Sequence, residues 1–248
     1  MSYTMTVSPD FRPAQIAEWY IFNTWLQRQL DVSIHLELFD SFESQREAIN
    51  DGRIDLIFAN PFDASMLVRD KSFVAIAKPD EHSDEALIAV AVDSEVQDVT
   101  DLEAGANIAK TDDPEVNMIG MIMIEPADLN AENTSSMVMD TYAIVAKQVM
   151  TGKAGAGFFL AEAFDNFSGL ITSQLKVLVR SQISVISHAF MVSPKAAEHM
   201  GALQAALLCM ADDPKTKDVL AGMGFSGWVK QSYEDTEFMI DLMDTLVD

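Results

Sequence analysis

The sequence predicts an α/β fold built as two doubly wound lobes joined by a two-strand hinge. Three observations carry this reading. Residues 1–60 alternate strand and helix periods in the order β-α-β-α-β, the pattern of a mostly parallel sheet with helices on both faces. A helix end, a glycine, a basic residue and an apolar strand follow one another in Ala48–Phe58, and again in Lys147–Phe158. Apolar residues make up 49% of the 248-residue chain, enough to bury a sizeable core. Any helix-to-strand turn can have the second form. The matching strand–helix–turn spacing in both halves favours two similar lobes.

The elements follow in order. Tyr3–Ser8 alternates and reads as a strand that Pro9-Asp10 stops. In Pro13–Leu30 the apolar residues Ile16, Trp19, Tyr20, Leu26 and Leu30 fall near helical spacing, with Pro13 suited to a first turn. Ser33–Phe39 alternates again. Ser41 caps a helix that runs to Asn50, and Gly52 suits the left-handed position after its end. Ile54–Ala59 is a short buried strand closed by Asn60-Pro61. Phe73–Ala77 and Ala86–Val92 are further strands, separated by the polar surface crossing Lys78–Glu85. Asp101–Gly105 reads as a one-turn helix and its exit, Asn107–Lys110 as a strand, and Pro114–Ile124 as a helix. Asp140–Met150 is helical, Gly152 ends it, and Ala154–Leu160 returns as a strand. Lys176–Val179 and Ser184–Val192 are strand-like. Helices are expected from Pro194 to Met210, over Asp212–Leu220 and over Thr236–Leu246. The expected division is 1–80 plus 187–248 for lobe one and 81–186 for an inserted lobe two. Strands near 74–92 and 176–192 would form the hinge.

Charge and composition exclude several classes. There are 39 acidic and 16 basic side chains, a net charge of −23. Such a chain repels phosphate backbones and anionic membranes, so nucleic acid is not an expected partner. No apolar run approaches the roughly 18–20 residues that span a bilayer, so the chain is not expected to be membrane-embedded. The single cysteine, Cys209, cannot form an internal disulfide. The acidic excess reads as a solvated surface. No basic-then-apolar leader opens the chain.

The stretch Asp51-Gly52-Arg53-Ile54-Asp55-Leu56-Ile57-Phe58-Ala59-Asn60-Pro61 resembles the signature strand and turn of periplasmic solute-binding proteins of the type II fold. More narrowly, it resembles the phosphate/phosphite/phosphonate-binding subfamily of ABC-transporter receptors. Val7-Ser8-Pro9, Phe42, Val99-Thr100-Asp101-Leu102, Thr151-Gly152-Lys153-Ala154 and Pro194 support it, and the resemblance runs in order along nearly the whole chain. It implies two lobes, a hinge, and a small-molecule ligand held without covalent chemistry or cofactor. An ABC permease is the implied partner, and a monomer is expected. The implied compartment is the periplasm if a leader has been removed, or the cytoplasm if Met1 is the native start.

Departures from the subfamily bear on the ligand. The subfamily holds its oxyanion with a Ser-Thr-Ser-Gly turn at a helix start, where small hydroxyls and free N–H groups suit negative oxygens. The matching place here reads Asn117-Met118-Ile119-Gly120, after Asp112-Asp113-Pro114-Glu115. Tyr142 stands where a histidine is expected, and Phe42 where an aromatic hydroxyl is usual. These changes predict a ligand less anionic than phosphonate, or one with an apolar part.

The candidate ligand-binding residues are Ser8, Phe42, Asn60, Phe62, Asn117, Met118, Tyr142 and His188. Ligands of doubly wound sheets sit beyond the carboxyl ends of strands, and all the polar members except Tyr142 lie near strand-to-helix transitions. Local capping explains any one of these polar residues on its own. Phe42 and Phe62 sit just past strand ends, while Phe158 reads as core. Met118, Met121 and Met123 form a soft cluster that also suits helix packing. The four histidines show no metal spacing, and Asp112, Asp113 and Glu115 lack the 12-residue loop of a calcium site. No metal site is expected. No nucleophile elbow, P-loop or dinucleotide turn is present, so no catalytic residue and no enzyme activity are expected. The alternative is a cytosolic enzyme or ligand-sensing domain on the same fold, for which Asp112, Glu115 and Tyr142 are the available acid/base groups.

Overall fold

The computed structural model describes residues 2–11 and 13–247. The chain forms two compact units. Unit 1 runs to His82 and resumes over Ser187–Met243; unit 2 comprises Ser83–Ile186 and the described residues from Asp244 onward.

Along the chain the elements are β1 (Ser2–Val7), α1 (Ile16–Leu30), β2 (Ser33–Leu36), α2 (Phe42–Asn50), β3 (Leu56–Ala59), α3 (Pro61–Ser65) and β4 (Val74–Pro79). Unit 2 contributes β5 (Ala86–Ala91), β6 (Asn107–Lys110), α4 (Pro114–Ile124), β7 (Ser135–Val138), α5 (Tyr142–Met150), β8 (Ala156–Leu160), α6 (Ala161–Asp165), α7 (Gly169–Thr172) and β9 (Leu175–Arg180). The chain then returns through β10 (Ala189–Val192), α8 (Met200–Leu208), α9 (Pro214–Met223), β11 (Trp228–Lys230) and α10 (Tyr233–Val247).

The unit 1 sheet has the order β11-β4-β10-β3-β1-β2, and the unit 2 sheet β7-β6-β8-β5-β9. Both are mixed, which corrects the expectation of a mostly parallel sheet. In unit 1, β1 pairs in parallel with β2 and β3, but β10 runs against β3 and β4, and β11 against β4. In unit 2, β6 pairs in parallel with β7 and β8, but β5 runs against β8 and β9. β5 and β10 are the strands by which the chain enters each unit from the other. The first residue of β5, Ala86, pairs with the last of β8, Leu160. The first residue of β10, Ala189, pairs with the last of β3, Ala59. Residues just ahead of an entering strand, Glu85 and His188, therefore lie at the carboxyl edge of their own sheet.

The internal repeat holds in backbone detail. Ser41 accepts from the N–H of Ser44 to cap α2, and Thr141 accepts from Ile144 to cap α5. At the other ends Gly52 and Gly152 both take φ +69°, a left-handed value that costs glycine no Cβ clash. Arg53 N–H bonds the Ala48 carbonyl and Lys153 N–H the Gln148 carbonyl, each at 3.0 Å. Phe42 and Tyr142 consequently occupy the same first-turn position of equivalent helices.

Each unit has its own core. In unit 1, Tyr3, Met5 and Val7 project from β1 onto Trp19, Phe22 and Leu26 of α1, with Phe58, Phe190 and Trp228 completing an aromatic layer. The Trp19 and Phe58 rings lie 5.1 Å apart. In unit 2, Leu87, Ala109 and Phe159 pack on Val145, Ala146 and Val149 of α5. On the opposite face Phe158 is fully buried, as expected. It lies against Gly120 of α4, where a Cβ would fall 2.7 Å from ring atom Cε2, so α4 approaches the sheet only because residue 120 has no side chain.

Several local readings are corrected. Lys78 and Pro79 belong to β4 and pair with β11, rather than to a crossing. The expected Ser184–Val192 strand begins only at Ala189, and Ser184 takes a left-handed φ of 63° that breaks extended backbone there. The turn read at Asp101–Gly105 is a 3₁₀ turn over Val99–Asp101, closed by a capping box between Asp98 and Asp101. The helix expected from Pro194 begins as a 3₁₀ segment and becomes α-helical at Met200.

Candidate functional site

In unit 1 the carboxyl edge of the sheet holds a continuous polar network. Its first members come from β-strand ends and the helices that follow. Pro61 supplies the first residue of α3, and Asn60 caps it by accepting from Asp63 N–H at 2.9 Å. The Asn60 amide donates to Ser8 Oγ and to Asp63 Oδ2, each at 3.2 Å. Asp63 in turn accepts from Arg46 Nε at 2.6 Å. Ser8, just past β1, donates from its hydroxyl to Asp10. Asp10 meets His188 Nε2 at 2.8 Å, and the imidazole stacks on Phe58 with ring centres 5.2 Å apart. The network thus reads Arg46–Asp63–Asn60–Ser8–Asp10–His188. Ser8 and Asn60 are fully buried, and Asp63 and His188 nearly so.

Its electrostatics follow from burial and pairing. Burial by itself pushes the Asp10 carboxyl up; the charge and hydrogen bond of His188, the Ser8 hydroxyl and a backbone N–H outweigh that and hold it below the ordinary carboxylate range. At the other end the Arg46 guanidinium lies 5.5 Å from the centre of the Phe42 ring and 5.3 Å from that of Phe62. Cation–π contact with two rings supports a cation whose Nη2 is buried and makes no hydrogen bond.

In unit 2 the corresponding cluster forms around the start of α4. Asp113 caps the helix by accepting from Val116 N–H at 3.2 Å, and Pro114 takes the first position. The other Asp113 oxygen accepts from the Tyr142 hydroxyl at 2.6 Å. Burial, then the Asp113 charge, push the Tyr142 phenol well above its ordinary range. The Tyr142 oxygen also receives a hydrogen bond from the Thr111 hydroxyl. Asn117 donates from Nδ2 to the Thr111 carbonyl at 3.0 Å, while its Oδ1 is buried and receives no donor. Glu115 is fully buried in the first turn of α4, where the helix dipole favours a carboxylate.

The sequence-predicted residues therefore fall into two groups. Ser8, Asn60 and His188 share the unit 1 network, with Phe42 and Phe62 at its Arg46 end. Asn117 and Tyr142 share the unit 2 cluster. Met118 is half-buried on α4 and joins neither set of hydrogen bonds. Asn60 uses its oxygen in the cap and its amide on Ser8 and Asp63, so the capping account holds for it. Sequence reasoning missed Asp10, Arg46, Asp63 and Thr111. Two had a signal: Arg46 lies four residues after Phe42, one helical turn along the same face, and Asp63 three after the cap Asn60.

The profile of the family described as ABC transporter, phosphonate, periplasmic substrate-binding protein matches residues 5–236. The chain belongs to this family. No curated protein matches it in sequence. Among solved structures the chain is similar to the methylphosphonate complex of PhnD1 from Prochlorococcus marinus, with a TM-score of 0.84 at 12% identity, covering 99% of this chain and 98% of that one. It is also similar to a binding protein component of an ABC phosphonate transporter from Pseudomonas aeruginosa, with a TM-score of 0.76 at 12% identity and coverage of 100% and 89%. The periplasmic aliphatic sulphonate binding protein SsuA from Escherichia coli gives a TM-score of 0.69 at 15% identity, covering 99% and 86%. At these identities the structural likeness establishes the type II periplasmic binding protein fold. The family places the chain among transport substrate-binding proteins rather than enzymes. No helix among the described residues is long and apolar enough to cross a membrane.

Proposed function

We propose that this chain is the solute receptor of an ABC importer. It closes its two units on a small ligand in the periplasm and delivers it to a permease. We further propose that the ligand is less anionic than a phosphonate. Family membership supports the receptor role. One observation carries the ligand reading: the start of α4 is lined by carboxylate and amide oxygens where an oxyanion needs donors. Asp113 and Glu115 are carboxylates, and the Asn117 Oδ1 of the same helix start is buried with no donor among the described residues. A buried acceptor without a donor costs about 1–3 kcal/mol, which a ligand bearing an N–H or O–H group offsets. A dianion would add like charge beside two carboxylates instead. The Met and Ile that replace hydroxyls at 118 and 119 favour an apolar part on the ligand.

Isothermal titration calorimetry with phosphate, phosphite, methylphosphonate and an alkylsulfonate tests the ligand reading, alongside native mass spectrometry of protein purified without added ligand. The expected result is no tight binding of the dianions and a co-purified molecule of lower charge. Tight binding of any of the dianions would overturn the ligand reading and leave the receptor role standing. Receptor function itself is tested by coexpressing the permease and ATPase encoded beside the gene and measuring uptake of the co-purified molecule.

A further inference from the structure

Unit 2 contains a cavity of about 70 Å³ on the α4 side of its sheet. Liquid water takes about 30 Å³ per molecule, so the space suits a group of a few heavy atoms. Strand geometry explains what lines it. Ile108 and Lys110 alternate onto the same face of β6, and Ser136 of β7 stands opposite Ile108 in the parallel register. Lys110, Thr134 and Ser136 form the polar side; Ile108, Met121 and Phe158 form the apolar side.

The polar side is unusual for so acidic a chain. No carboxylate among the described residues lines the cavity. Among the described residues the Lys110 ammonium makes no ion pair and no hydrogen bond, although acidic side chains outnumber basic ones by 39 to 16. Burial holds its pKa below the ordinary lysine value. The Thr134 hydroxyl is already spent on the Asn130 carbonyl at 2.7 Å. The Ser136 hydroxyl makes no hydrogen bond among the described residues and can donate. Lys110 is half-buried and Ser136 exposed, so an ammonium and a hydroxyl face a small, partly open space that no carboxylate among the described residues lines, over an apolar floor.

We infer that this cavity is a binding site for a small oxyanion, held by Lys110 and Ser136 and separate from the clusters at the starts of α2 and α4. A single anionic group would accept from both donors and offset the partial desolvation of the lysine. The inference does not depend on the ligand proposed above.

The test uses amide NMR spectra of the full chain in chloride-free buffer at constant ionic strength. Sodium phosphate and sulfate form one arm, acetate and formate the other. The expected result is saturable shifts at amides 108–110 and 134–136 in at least one arm, which also tells tetrahedral from planar anions. Lys110→Met should weaken binding about tenfold or more, on the order of 1.4 kcal/mol. Lys110→Arg, which keeps the charge, should retain most of it, and far-UV circular dichroism verifies that both variants fold. No saturable response, a response confined to residues 113, 117 and 142, or one unchanged in Lys110→Met would overturn the inference.

Discussion

Glu85 offers a direct test of how the two crossing segments are held. It lies just ahead of β5, and its carboxylate gathers four donors. The Ser181 hydroxyl donates to Oε2, Ile183 N–H reaches the same oxygen at 3.1 Å, Ser184 N–H reaches Oε1 at 2.7 Å, and the Ser83 hydroxyl reaches it at 3.3 Å. Ser181 Oγ also accepts from Ala86 N–H at 2.9 Å, and Asp84 N–H bonds the Ile186 carbonyl at 2.8 Å. One carboxylate therefore joins residues 83–86 to 181–186, and holds Ser184 in its left-handed conformation. Burial pushes the Glu85 carboxyl up, but the Ser181 hydroxyl, the Ser184 and Ile183 N–H groups and Ser83 together bring it below the ordinary range.

Glu85→Ala removes all four acceptor contacts. Hydrogen bonds to charged groups contribute about 1.5–3 kcal/mol each, and the exposed part of this site calls for the lower end. Shared partners make the losses less than additive, so about 2–3 kcal/mol in total is expected. Hydrogen exchange reads this locally: about 1.5 kcal/mol at an amide corresponds to roughly tenfold faster exchange. Ile183 and Ser184 should show it, while amides of β6 and β8 should not. The pH dependence has a definite sign. A carboxyl whose folded pKa is depressed stabilises fully above its unfolded value, about 4.3, and that contribution disappears as pH falls through the lower folded value. The wild-type protection at 183 and 184 should therefore persist at pH 6 and fade only in acid. Unchanged exchange at these two amides in Glu85→Ala would refute the clamp.

Two further substitutions probe the units separately. Gly120→Ala places a methyl group against the Phe158 ring and should destabilise unit 2 by about 1–3 kcal/mol through overpacking, read as a lower thermal midpoint that Phe158→Leu partly restores. Asp10→Asn removes the carboxylate opposite a nearly buried His188 and should cost about 3 kcal/mol in urea unfolding at neutral pH, the low end for a broken buried pair. Asp10 titrates below its ordinary range when folded, so its contribution is present above pH of about 4 and lost as pH falls through the folded value; the wild-type and variant curves should converge there.

Much of this molecule was legible because its signals are local. Caps, first-turn prolines and left-handed glycines act through hydrogen bonds three to five residues long. Hence the bounds of α4 and β6, the cap at Ser41 and the conformation of Gly52 could be read directly. The family resemblance rested on the same turns. β7 carried no such signal: Ser135–Val138 is a largely exposed edge strand without apolar alternation, and its place beside β6 is a matter of pairing.

The candidate site divides in the same way. Ser8, Asn60, Asn117 and His188 could be picked out because they sit near strand-to-helix transitions, and Tyr142 because the resemblance expects a histidine there. Asp10, Arg46, Asp63 and Thr111, which bond to them or extend their networks, could not. Arg46, Asp63, Asp10 and His188 come from four separate stretches, and only the sheet order brings them into one network. The sequence by itself determined most of the elements and the repeated plan of the two units, since each depends on neighbours along the chain. Only the tertiary structure decided that β5 and β10 run against their partners, and so set Glu85 and His188 at the carboxyl edges. A strand's direction is chosen by what it pairs with, and that choice is made across the sheet.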